Sequence, residues 1–131
     1  MRESWNPSCA CGGVALVVTG KPEWVNACTC LHCQKATGSV MSWTAFFAAS
    51  SVTRKGTAKS YRTTTGVTTN FCKTCGTIVW ITLEDAPDLI GVGVGLLGDP
   101  EFEAPKNIYW TCRKPAWLPL PTGIKAFDQG G

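Results

Sequence analysis

The chain has 131 residues, 44% hydrophobic and 16% charged, which argues against a disordered segment and is enough for one domain, residues 1–131, with its own core. A net charge of +3 is too small to imply nucleic-acid binding, although it favours small anionic ligands. No apolar run approaches the length of a membrane span, and the N-terminal MRESWNPSCACGG lacks the apolar segment of a secretory signal, so a cytoplasmic protein with no nucleic-acid or membrane partner is expected.

Taken in chain order, the pattern is one of short strands separated by Gly, Thr and Pro. GGVALVVTG (12–20) is β-branched and apolar, and SVMSWTAFFAAS (39–50) reads as a buried strand. Between them, only CQKATG (33–38) suggests a helical turn. KSYRTTTG (59–66), VTTNF (67–71) and TIVWITLE (77–84) have strand composition, and DLIGVGVGLL (88–97) reads as a strand with glycines on one face. GVGVG does not match GxGxxG and no helix pattern follows, so a nucleotide loop is not expected there. The tail from Lys106 holds Pro115, Pro119 and Pro121 and is expected to wrap irregularly, anchored by Trp110, Trp117 and Phe127. These elements predict a mainly β domain with very little helix.

Seven of the eight cysteines fall into three tight clusters: Cys9 with Cys11, Cys28 with Cys30 and Cys33, and Cys72 with Cys75. Neighbours one or two residues apart are poorly placed to bridge each other but well placed to chelate one ion. CAC (9–11) and CKTCG (72–76) each offer two thiolates, and together they make a four-thiolate structural zinc site. Such a zinc would close a loop over residues 12–71, at a chain-entropy cost far below the roughly 10 kcal/mol that structural zinc supplies. The competing reading of CxxC as a redox pair needs a helix in a βαβ unit, and strands flank this one.

CTCLHC (28–33) can hold three corners of a second zinc tetrahedron, with the fourth open to water or substrate, as in catalytic zinc sites. A thiol entering there would be held as thiolate. His32 and Cys112 are rival fourth ligands. His32 is adjacent to Cys33 and diverges from it on a short loop; Cys112 is a lone thiol in TCRKPAW.

CxC near the start, CxCxxC followed by QKATGS, FCKTCGT, a Gly-rich strand running into LLGDPE, and a final IYW…PAW together resemble the glutathione-dependent formaldehyde-activating enzyme family, whose relatives include the domain of centromere protein V. The resemblance runs from about residue 9 to 127. It implies a zinc-stapled β-sheet fold, the β-tent shared with methionine sulfoxide reductase B. It also implies two zinc ions per chain: a structural zinc on Cys9, Cys11, Cys72 and Cys75, and a functional, catalytic zinc on Cys28, Cys30 and Cys33. The implied activity is that of a carbon–sulfur lyase, joining glutathione and formaldehyde reversibly as S-hydroxymethylglutathione. Many members carry His before the IY pair, where this chain has Asn107, which hydrogen-bonds but cannot titrate.

On this reading a small-molecule thiol, glutathione, meets a small aldehyde at the second site. Asn107 and His32 are candidate substrate contacts, with Thr29, Thr37 and Ser39 as further proton or hydrogen-bond donors. Lys35, Arg54, Arg62 and Arg113 are candidates for the glutathione carboxylates. Two other function classes compete. A non-enzymatic zinc- or glutathione-binding or protein-interaction module needs no turnover, and a sulfoxide-reductase-type enzyme needs a reactive cysteine outside the metal sites, for which only Cys112 is available.

Overall fold

The computed structural model describes residues 3–130. In chain order the elements are β1 (Ser4–Trp5), β2 (Ala15–Thr19), β3 (Trp24–Cys28), α1 (Leu31–Thr37), β4 (Ser42–Ala48), β5 (Val52–Lys55), β6 (Lys59–Arg62), β7 (Val67–Phe71), β8 (Ile78–Leu83), β9 (Ala86–Gly93), β10 (Asn107–Tyr109) and β11 (Lys125–Ala126). The architecture is therefore mainly β with one α-helix among the described residues. That helix is too short to cross a membrane.

Backbone contacts group the chain into two units, each built from separated stretches of sequence. The first comprises residues 1–23 and 45–102, and the second residues 24–44 and 103–131.

In the first unit β1, β2 and β5 form an antiparallel sheet, with Leu16 opposite Arg54 and Val18 opposite Val52. Alternation along ALVVT buries Leu16 and Val18 and leaves Val17 exposed, as a period-two pattern requires. β6, β7, β8 and β9 follow one another as an antiparallel run. The β6–β7 turn is held by the Thr63 hydroxyl, which accepts from the amides of Thr65 and Val67. Trp5 centres the core, with its ring 5.4 Å from that of Phe102 and 5.9 Å from that of Phe47. Its indole N–H donates to the Asp99 carboxylate at 3.2 Å, which satisfies the one polar atom it buries.

The strand expected over 88–97 stops at Gly93. Val94–Leu97 form a 3-10 turn that buries Val94 and Leu97 and closes on Gly98 in left-handed geometry. Three glycines in GVGVG weaken strand continuation, and burial of two apolar side chains in a tight turn outweighs it.

In the second unit β3 lies beside β10, and β10 beside β11, both pairings parallel. Val25, Ala27 and Ile108 point to the buried face. α1 is capped by the Cys30 sulfur, which accepts from the Cys33 amide at 3.3 Å, and by Gly38, whose amide donates to Gln34 O. The tail expected to be irregular contributes β10 and β11, because β3 satisfies the backbone groups of β10 and β10 those of β11. Of the expected tail anchors, Phe127 stacks on Tyr109 at 5.1 Å, whereas Trp110 and Trp117 are exposed, Trp117 to 74%.

Candidate metal centres

Two cysteine sets come together among the described residues, one in each unit. In each set the sulfurs lie within 4.8 Å of one another.

The first set is Cys9, Cys11, Cys72 and Cys75. Two similar turns build it. The Cys9 amide donates to Val14 O and the Gly12 amide to Cys9 O. The Cys72 amide donates to Thr77 O and the Gly76 amide to Cys72 O. Gly76 sits at φ +79, a left-handed conformation that makes the CxxCG turn possible with glycine. Gly56 also stands at φ +89, and any Cβ there would strike the Gly13 carbonyl of the first turn.

The Cys9 and Cys11 sulfurs are 3.6 Å apart, as are those of Cys11 and Cys72. A tetrahedron with metal–sulfur bonds of about 2.3 Å has edges of about 3.8 Å, so the spacing fits zinc. Amides of Val14 and Thr74 donate to the Cys9 and Cys72 sulfurs at 3.3 and 3.4 Å. These amides stabilise sulfur as thiolate, the form that binds metal. Thr77, which the sequence reading passed over, links the two turns. Its hydroxyl accepts from the Ala10 amide at 3.1 Å and contacts the Cys75 sulfur at 3.3 Å. The Thr77 hydroxyl and amide hold Cys75 down to about 5. The Gly13 amide favours a Cys11 thiolate, but hydrogen bonds to Cys9, Cys72 and Cys75 keep it protonated and push it up to about 11. Burial disfavours a charged Cys9, yet the Val14 amide and its sulfur neighbours leave its pKa lowered. Cys75 is thus held as thiolate beside a protonated Cys11, whose proton a divalent ion would displace on binding.

The second set is Cys28, Cys30 and Cys33, all half-buried. Cys28 ends β3, Cys30 caps α1, and Cys33 lies in the first helical turn. One strand end and one helix start therefore bring three sulfurs together within six residues. The Cys33 thiol is lowered to about 5, chiefly by a hydrogen bond from Cys28 and also by the Ser42 hydroxyl, Cys30 and the charge of His32. Cys28 is raised far above the ordinary thiol range because it donates to Cys33 and is part-buried. The donor set is soft and clustered, and it fits zinc with a position to spare. Neither His32 nor Cys112 joins the cluster.

Around it, the other candidates separate. Thr29 is fully buried, and its hydroxyl donates to Trp110 O at 2.7 Å and lies 3.2 Å from Tyr109 O, which commits it to structure. The Thr37 hydroxyl donates back to Cys33 O at 2.8 Å, and Ser39 contributes its amide to that hydroxyl. Gln34, not singled out in sequence, donates to Thr29 O and Arg113 O at 2.8 and 2.9 Å and ties α1 to the tail. Ser42, also missed, is the hydroxyl that meets Cys33. Asn107 pairs in register with Asn26 of β3, two residues before Cys28. Among the basic candidates, Arg54 lies over the Trp80 ring at 5.1 Å and Arg62 pairs with Glu84 at 2.8 Å, both within the first unit, while Lys35 closes the last turn of α1.

The model of the glutathione-dependent formaldehyde-activating enzyme family matches residues 4–113. The chain belongs to that family. Membership agrees with the order of the cysteine clusters, since all seven clustered cysteines fall inside the matched span. A crystal structure of a Rhodobacter sphaeroides protein is similar, with a TM-score of 0.56 and 21% identity over 75% of this chain and 90% of that one; it supports the fold. No curated protein matches the chain.

Proposed function

We propose that the protein is a zinc-dependent carbon–sulfur lyase that forms or cleaves a glutathione thiohemiacetal such as S-hydroxymethylglutathione. The reading takes residues 1–131 as one functional domain, with zinc on both cysteine sets. The observation that carries it is the division of seven cysteines into a complete four-sulfur set and a separate three-sulfur set, in a chain of this family.

The residues divide the work as follows. Cys9, Cys11, Cys72 and Cys75 hold the turns of the first unit together. Cys28, Cys30 and Cys33 are the catalytic set. A zinc ion bound there supplies a cationic position at which a thiol is kept as thiolate near neutral pH. The Ser42 hydroxyl and the His32 charge favour the thiolate form of Cys33 and so its readiness as a ligand. The glutathione sulfur attacks the carbonyl carbon, and the resulting oxygen needs a hydrogen-bond donor, for which His32 is the candidate, while Asn107 is the candidate contact for the remainder of the substrate. Asn107 donates through its amide without titrating.

The test is exchange of aldehyde and thiohemiacetal signals by NMR, with glutathione and formaldehyde, against the uncatalysed rate. Zinc-loaded protein is expected to accelerate exchange and Cys30→Ser to abolish the acceleration. No acceleration by the wild type would overturn the lyase reading and leave a zinc-binding module.

A further inference from the structure

The parallel register of the second unit sets chemically distinct side chains on one open sheet face. Tyr109 is registered with Cys28, and Asn107 with Asn26 and Lys125. Residues in register across a sheet share a face. Val25, Ala27 and Ile108 take the buried face, so Asn26, Cys28, Asn107, Tyr109 and Lys125 share the other. Phe127 continues the Cys28–Tyr109 row, its ring stacked on Tyr109 at 5.1 Å and 16°. Lys125 sets its ammonium 5.2 Å from the centre of the Phe127 ring. Strand spacing of about 4.8 Å places the Tyr109 ring one strand from the thiol of Cys28, and the polar row lies about 6.6 Å along the strands.

Formaldehyde is a single carbon and has no use for a pair of rings, two amides and an ammonium. We propose that the carbonyl substrate of the Cys28 site is an aryl aldehyde bearing an acidic group, its ring on Tyr109–Phe127 and its anion toward Lys125 and Asn107. The flat apolar part answers the stacked rings. The anion answers the charge of Lys125, and its oxygens can accept from the Asn107 amide. This rests on the thiohemiacetal reading above. In the step, the glutathione sulfur pair forms the C–S bond, the C=O π pair moves to oxygen, and the proton given up by the thiol ends on that oxygen. Reversal breaks the same bonds, and no oxidant or reductant is consumed.

The probe is 4-carboxybenzaldehyde with the full-length, zinc-loaded chain, read by saturation transfer to its ring protons and by its Kd. The wild type is expected to bind it more tightly than 4-methylbenzaldehyde, and Lys125→Glu to erase that preference. Phe127→Leu should weaken binding about three- to tenfold, and Phe127→Tyr should restore it. A dispersed amide spectrum verifies that each variant is folded. No saturation transfer in the wild type, or unchanged affinity in folded Phe127→Leu, overturns the proposal. So does displacement of the aldehyde by S-methylglutathione, which would assign the face to the thiol. Binding that follows the expected pattern without accelerated exchange strikes the lyase reading instead and leaves the aldehyde site standing.

Discussion

The hydroxyl of Thr29 donates to the carbonyl of Trp110 at 2.7 Å, and Trp110 is the non-glycine residue whose backbone is left-handed, at φ +60. Left-handed geometry costs an L-residue about 1–2 kcal/mol, so it persists only where the surroundings impose it. Here the Trp110 amide donates to Gln129 O, and its carbonyl also receives the Arg113 amide. Thr29 directly follows Cys28, so this contact fixes the tail against the strand end that carries one sulfur of the three-cysteine set.

Thr29→Val keeps the shape and removes the hydroxyl, leaving a buried apolar methyl against two carbonyls. The expected loss is about 1–3 kcal/mol in unfolding free energy, measured by urea denaturation, with Thr29→Ser close to wild type.

The two cysteine sets are expected to respond differently to loss of one ligand. Cys72→Ser should abolish the cooperative thermal transition, because structural zinc contributes on the order of 10 kcal/mol to domains whose net stability is about 5–15. Cys30→Ser should stay folded and lose one zinc by elemental analysis. Equal loss of fold in both variants would contradict the division of roles.

After chelator treatment, alkylation should discriminate within the second set. Cys33 is held at about 5 by its neighbours and is a thiolate across the neutral range, while Cys28, raised by donating to it, stays protonated. Iodoacetamide at pH 6.5 should therefore label Cys33 before Cys28, as read by peptide mass spectrometry. As pH falls through about 5, Cys33 takes its proton and that preference disappears. Ser42→Ala removes one of the groups lowering Cys33 and should move its alkylation profile to higher pH.

Arg62→Ala breaks an ion pair whose side chains are 65% and 64% exposed. The unfolding midpoint should shift by less than about 1 kcal/mol equivalent, since exposed pairs contribute little.

Much of the site was legible before any coordinates. Ligand spacing is a local property, so CxC, CxxCG and CxCxxC could be assigned to two sets from the chain alone, and Cys9, Cys11, Cys72 and Cys75 do converge. VTTNF, recognised by its strand composition, falls on the residues expected, whereas WVNAC at 24–28 passed unnoticed beside the cysteine motif it leads into. Thr77, Ser42 and Gln34 also escaped notice. A hydroxyl or an amide has no spacing signature, and its role appears only when another segment supplies the partner.

Side-chain chemistry and local spacing thus decided the ligand types, their grouping and the β-rich class. Tertiary structure decided which residues stand in register with Cys28. The parallel pairing of β3 with β10 joins positions about eighty residues apart, and that of β10 with β11 positions about eighteen apart; no local pattern announces either. The same pairing turned a proline-rich tail into two strands, because β10 found backbone partners on β3 and then offered its other edge to β11.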